Sequence, residues 1–157
     1  MRKLSEAPEF QIRVMTAEDL PVVQDIEARA FKHPWSPELL RRELTHEWSV
    51  ILLAEEETPD GTRVLGFLIC WVVHDELHIL NVATDPAHRN RGVARAVLTA
   101  ALAHARQKKC ALATLEVRKS NETALHLYKD FNFRPVGVRP NYYVDEREDA
   151  IVMVLDL

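Results

Sequence analysis

The sequence reads as a mixed α/β (α+β) domain, a central sheet with helices packed on it. Three observations predict this. Apolar runs of strand length interleave with stretches of helical periodicity. N-cap residues and polar turns punctuate the boundaries. A length of 157 residues with 47% hydrophobic content suits one domain with a sizeable core.

Taken in order, Phe10–Met15 alternates like a strand. Thr16 then reads as an N-cap with acids Glu18 and Asp19 in the first turn. Leu20, Val23, Ile26, Ala30 and Phe31 recur at helical spacing, so a helix is expected to about Phe31. His33-Pro34-Trp35 breaks it, and Ser36-Pro37 restarts a helix as N-cap and N1 proline to about His46. Ser49–Glu55 and Val64–Val73 read as strands joined by the turn Thr58-Pro59-Asp60-Gly61. After the corner His74-Asp75-Glu76 come a strand, Leu77–Thr84, and a helix, Val93–Ala105. Ala111–Val117 is a strand, Asn121–Phe131 a helix capped by Ser120 or Asn121, and Phe133–Val138 a strand. Asn141–Asp149 reads as a loop and Ala150–Leu155 as a closing strand. The order β α α β β β α β α β β has about seven strands and about four helices. The opening residues, about 1–9, are expected to be flexible, and neither repeats nor linkers interrupt the chain.

A net charge of −4 argues against a protein that is mainly a nucleic-acid binder. Cys70 and Cys110 lie in apolar runs and read as buried thiols in a reducing compartment. No early apolar segment suggests a signal peptide, and no apolar run approaches the ~20 residues of a membrane span. A cytoplasmic protein with no membrane partner is expected. The seven histidines and two cysteines show no metal-ligand spacing, so no metal is expected.

Arg89-Asn90-Arg91-Gly92-Val93-Ala94 is the most informative segment. A strand that passes through basic residues and a glycine into a helix makes an anion cradle, because first-turn N–H groups lack helical partners and the dipole is positive there. Gly92 permits close approach of a phosphate, and Arg95 adds charge. An ordinary helix start with surface arginines stays open on spacing alone. GxxxxGK[ST] and GxGxxG are both absent. Glu116 lies in Ala111–Val117, a strand that reads as buried on both faces, where desolvation would make its carboxylate a stronger base. The alternative is a strand-end acid paired with Arg118. Tyr128 shares a helix face with Ala124, Leu127 and Phe131 and is either a core phenol or a weak acid. Asn141-Tyr142-Tyr143 in a charged loop, and Trp35 beside Pro34, are aromatic groups that either pack within their own loops or receive a partner.

The runs "HILNVATDPAHRNRGVARAVL", "LEVRKSNETALHLYKDFNF" and "RPNYYVDEREDAIVM" resemble the GNAT superfamily of N-acetyltransferases. With "IEARAFKHPWSPELLRREL" they are closer still to its RimI-type ribosomal-protein-alanine N-acetyltransferases. The resemblance covers most of residues 76–154 and extends to residues 26–44. It implies the GNAT fold, a mixed sheet splayed in the middle, with acetyl-CoA in the gap. Arg89, Asn90, Arg91, Gly92, Val93 and Ala94 would be its pyrophosphate loop, with Arg95 beside it. Val82, Ala83 and Thr84 would offer main-chain groups to the pantetheine arm and thioester, and Asn121 would contact CoA. Glu116 would be the general base and Tyr128 the general acid. Arg89 stands where many members have Gln, and Ala94 where many have a second Gly.

The acceptor implied is a protein N-terminus, that of ribosomal small-subunit protein 18 with its N-terminal alanine. Trp35, Arg139, Asn141, Tyr142 and Tyr143 would shape the peptide channel, and Asp75, Glu76 and Glu146 would either attract a basic tail or form a solvated rim. An α-amine loses its proton near ~7.7–8.0 and a lysine near ~10.4, so a carboxylate base has the easier task with an N-terminus. The rival readings are an acetyltransferase of a small amine or of lysine side chains, and a non-catalytic acyl-CoA-binding module.

Overall fold

In the computed structural model, residues 10–157 are described, and the flexibility expected of residues 1–9 falls outside them. The elements are β1 (Gln11–Val14), α1 (Leu20–Ala30), α2 (Pro37–Glu43), β2 (Ser49–Thr58), β3 (Gly61–Val73), β4 (Glu76–Thr84), α3 (Val93–Gln107), β5 (Leu112–Arg118), α4 (Glu122–Asp130), β6 (Arg134–Tyr143) and β7 (Glu148–Asp156). Their order is the one the sequence predicts. The strands form a seven-stranded mixed sheet in the order β1-β2-β3-β4-β5-β7-β6. β1 pairs antiparallel with β2, β4 parallel with β5, and β7 antiparallel with both β5 and β6. A parallel pair requires a crossover, which α3 supplies.

The caps explain the helix starts. Ser36 Oγ accepts the Leu39 N–H at 3.1 Å, and Asn121 Oδ1 accepts the Ala124 N–H at 3.1 Å. A short 3-10 turn, Ala17–Asp19, precedes α1, where Asp19 Oδ2 accepts the Thr16 N–H at 2.8 Å. β2 and β3 each reach three residues further into their hairpin than expected, and two other boundaries differ for visible reasons. α2 stops at Glu43 because Leu44, Thr45 and His46 donate to carbonyls three residues back, so the helix tightens into turns. The stretch read as a loop from Asn141 to Asp149 is mostly strand: β6 runs to Tyr143 and β7 begins at Glu148, leaving residues 144–147 as the turn. A register irregularity between Arg139 and Tyr143, with Asn141 at φ 50°, lets β6 continue, and Asp149 Oδ1 secures the Asn141 N–H at 2.9 Å.

The chain divides into two compact units. One comprises Met1–Ile69 with Val82–Ala101, the other Cys70–Asn81 with Leu102–Leu157. In the first, Val23, Ile26, Leu40, Leu53, Leu65, Phe67, Val97 and Leu98 are buried. In the second, Cys70, Leu77, Ala113, Leu115, Phe133 and Met153 are buried. Both cysteines are free and buried as expected, and burial pushes the Cys70 thiol up to about 12.

Within the second unit the register of β4 with β5 ends at Ile79 opposite Leu115. β5 continues against β7 to Arg118 opposite Ala150. Glu116 to Arg118 therefore hold partners on one edge, at the point in the strand order where a central splay was expected.

Within the first unit, Gly66 on β3 governs the approach of two elements. A Cβ there would lie 2.5 Å from the Ala83 carbonyl oxygen and 2.7 Å from Val93 Cγ1. Gly66→Ala must displace backbone, so a loss of ~1–3 kcal/mol is expected in urea unfolding. An unchanged midpoint would show that the β3–β4–α3 approach is not tight.

Candidate active site

In the first unit, β4 delivers Val82, buried Ala83 and Thr84 to the connection that leads into α3. Asp85 opens the connection: its N–H bonds to the Leu65 carbonyl at 2.8 Å, and its side chain caps a 3-10 turn at Pro86–His88 through the Ala87 N–H at 2.9 Å. Arg89, Asn90 and Arg91 follow, all exposed. Asn90 at φ 64° and Gly92 at φ 85° are both left-handed, and they turn the chain into the helix. Val93 is buried and anchors the helix start. The first helical hydrogen bond runs from the Ala96 N–H to the Gly92 carbonyl at 3.0 Å. The N–H groups of Gly92, Val93 and Ala94 thus precede any intrahelical partner and carry the helix's positive end, with Arg95 one residue on. The main chain fits an anionic group such as a pyrophosphate.

Two carboxylates hold this connection. Arg29 on α1 donates through Nη1 and Nη2 to the two oxygens of Asp85, each at 2.9 Å, and also pairs with Asp25 at 2.9 Å. Arg91 donates to both oxygens of Glu56 on β2, at 2.6 and 3.3 Å. The Arg29 guanidinium holds the Asp85 carboxyl down at about 2. Arg91 likewise lowers Glu56. Neither Arg29 nor Glu56 carries a sequence signal for this role, because each lies far along the chain from its partner. Trp35 sits after α1, where its N–H donates to Glu27 at 2.9 Å. Glu27 is only 1% exposed, a buried carboxylate that holds the turn carrying Trp35.

The second unit brings together Glu116, Arg139, Tyr142 and Tyr143. Glu116 corrects the expectation of a doubly buried strand. β5 alternates between buried and half-buried positions, and Glu116 falls with Thr114 and Arg118 on the half-buried face, its side chain 27% exposed. The supposed pairing with Arg118 is also absent. Glu116 Oε2 lies 3.4 Å from Nε of Arg139, whereas Arg118 takes Asp145 at 2.8 Å and Glu148 at 3.6 Å. Arg139 also lies over the Tyr142 ring at 5.5 Å, and Arg118 over the Tyr143 ring at 4.1 Å. The two tyrosine rings meet edge to face, their centroids 5.1 Å apart.

Tyr128 on α4 is buried and packs edge-on against Phe133 at 5.8 Å. Burial pushes its phenol far above the ordinary value, and Tyr143 adds to this. Tyr143 is raised to about 12, by burial first, with Arg118 opposing and Tyr142, Glu116 and Glu148 adding. Both phenols hold their protons at neutral pH. Asn121 spends its side-chain oxygen on the α4 cap.

Two expected rim acids lie elsewhere. Glu76 is opposite Leu112, so Asp75 and Glu76 sit at the end of β5 away from Glu116. Four residues at ~3.3 Å each separate those levels along the strand. Glu146 lies in the β6–β7 turn beside Asp145. Among the described residues no group of three or more His, Cys, Asp or Glu is placed to hold a metal ion.

The sequence pattern of the acetyltransferase (GNAT) family matches residues 20–133. The chain is 35% identical over 141 residues to the [ribosomal protein bS18]-alanine N-acetyltransferase of Escherichia coli (strain K12), covering 88% of this chain and 92% of that one. The crystal structure of the ribosomal-protein-S18-alanine N-acetyltransferase from Escherichia coli superposes with a TM-score of 0.84 at 34% identity, over 94% and 93% of the two chains. Arabidopsis thaliana NAA60 in complex with acetyl-CoA shares the fold, with a TM-score of 0.83 at 18% identity over 94% of this chain and 98% of that one.

The Asp85 pair predicts a pH dependence. Its folded value of about 2 lies below the ordinary 3.8, so its stabilising contribution is present above pH ~4 and lost as pH falls towards 2. Carbon-13 NMR should find Asp85 titrating near 2 in the wild type and closer to its ordinary value in Arg29→Ala. An unchanged titration in the variant would remove Arg29 as the cause.

Proposed function

The chain belongs to the acetyltransferase (GNAT) family, and from that premise we propose that it transfers the acetyl group of acetyl-CoA to the N-terminal amine of a protein, with ribosomal protein bS18 as acceptor. The observation that carries this reading is 35% identity to the Escherichia coli enzyme across 88% of the chain, a span that includes residues of both units. In this reading residues 1–157 act as one catalytic domain, in the cytoplasm where ribosomal proteins are made.

Acetyl-CoA supplies the activated acyl group. The N–H groups of Gly92, Val93 and Ala94 receive its pyrophosphate, with Arg89 and Arg95 adding positive charge and Arg91 and Asn90 shaping the loop. Main-chain groups of Val82, Ala83 and Thr84 serve the pantetheine arm and stabilise the oxyanion as the amine attacks. The side-chain amide of Asn121 keeps its N–H donors for the CoA. Glu116 takes the proton from the incoming ammonium, and its 27% exposure admits a bridging water. Arg139 orients that carboxylate.

Tyr128 serves the leaving sulfur. A free thiol titrates near ~8.5, and a phenol raised by burial is a weaker acid still. Handing over its proton is therefore uphill, and Tyr128 acts chiefly by donating a hydrogen bond to the developing thiolate. Trp35, Asn141, Tyr142 and Tyr143 contribute the walls of the peptide channel.

Mass spectrometry of a peptide bearing the bS18 N-terminus, incubated with enzyme and acetyl-CoA, should show a single acetyl on the α-amine. Preferential acetylation of free lysine or polyamines would favour the small-amine reading instead. Glu116→Gln should lower kcat at neutral pH by ~10²–10⁴. Unchanged turnover would reassign the base.

A further inference from the structure

The connection from β4 to α3 is attached by charge at both ends. At its start Asp85 receives the paired donors of Arg29 at 2.9 Å. Near its end Arg91 stands between the left-handed residues Asn90 (φ 64°) and Gly92 (φ 85°) and grips both oxygens of Glu56. Arg63 approaches the same carboxylate at 3.6 Å. His88 Nδ1 lies 3.0 Å from Nη1 of Arg91, and the Phe10 ring centroid lies 5.5 Å from the guanidinium.

We propose that Arg91 is a tether rather than a phosphate ligand, and that Glu56 is the positioning residue that holds the loop in its phosphate-accepting form. The inference deepens the acetyl-CoA reading of this loop and rests on it. The guanidinium already has a bidentate carboxylate, a histidine nitrogen and an aromatic face. A phosphate would have to displace the carboxylate to gain an equivalent pair of bonds. Asn90, unlike Gly92, has a Cβ that disfavours a left-handed backbone. An external restraint on its neighbour offsets that preference. Exposed ion pairs contribute little to global stability. In a loop's local opening equilibrium, however, a modest bias changes the population that can accept a ligand. Phosphate recognition then falls to the main chain, with Arg89 and Arg95 adding positive charge.

The test is a double-mutant cycle on CoA binding by calorimetry, using Glu56→Gln, Arg91→Gln and the pair. A tether predicts that each single variant weakens binding by ~3–10-fold and that the double variant is no worse than either, because both remove one interaction. It also predicts kcat at saturating acetyl-CoA within ~2-fold for Glu56→Gln, with the loss confined to KM. If Arg91 binds phosphate and Glu56 merely competes for it, Glu56→Gln tightens CoA binding while Arg91→Gln weakens it. That opposite sign overturns the proposal, as do additive losses or no loss at all. Amide hydrogen exchange at Arg91–Val93 without any ligand should be faster in Glu56→Gln, and unchanged exchange also overturns the tether. Failure of the wild type to bind CoA, with exchange responding as expected, would instead count against the acetyl-CoA reading.

Discussion

The missing side chain at Gly66 is the constraint on which the connection from β4 to α3 depends. It lets the Ala83 carbonyl and the Val93 side chain occupy space that any Cβ would claim. The end of β4 and the first residue of α3 thereby approach β3 together, and the intervening chain must turn sharply. Asp85 bonds to Leu65, Asn90 and Gly92 adopt positive φ, and the first helical hydrogen bond falls at the Ala96 N–H.

Charge in this protein organises position more than it adds stability. Arg29–Asp85 and Arg91–Glu56 are exposed pairs that salt and water screen. Both nonetheless fasten the connection between β4 and α3. In the other unit, Arg118 and Arg139 each combine carboxylate and aromatic contacts, and they set the places of Glu116, Tyr142 and Tyr143. Burial raises the phenols of Tyr128 and Tyr143 further above neutral pH, and both are suited to donate hydrogen bonds.

The order of elements was legible in the sequence because each relies on local signals, such as Ser36-Pro37 at α2 and Asn121 at α4. The strands of the β6–β7 hairpin were read too short. Asn141 and the charged residues after it look like a loop, and only the pairing of Tyr143 with Glu148 shows the ladder closing across an irregular register. Glu116 was singled out on β5, but its environment was misread. An apolar run does not reveal which face of a strand is covered, and the face with Glu116 is open enough for Arg139 to reach it.

The sequence by itself determined the helices and strands, the glycine-bearing helix start and the family, because periodicity, caps and motif spacing are properties of neighbouring residues. Tertiary structure decided the rest: that Asp85 meets Arg29, that Arg91 meets Glu56, that Arg139 rather than Arg118 meets Glu116, and that Gly66 must lack a side chain. Each joins residues well separated in the chain. Their meeting depends on strand register and helix packing, and no local pattern encodes those.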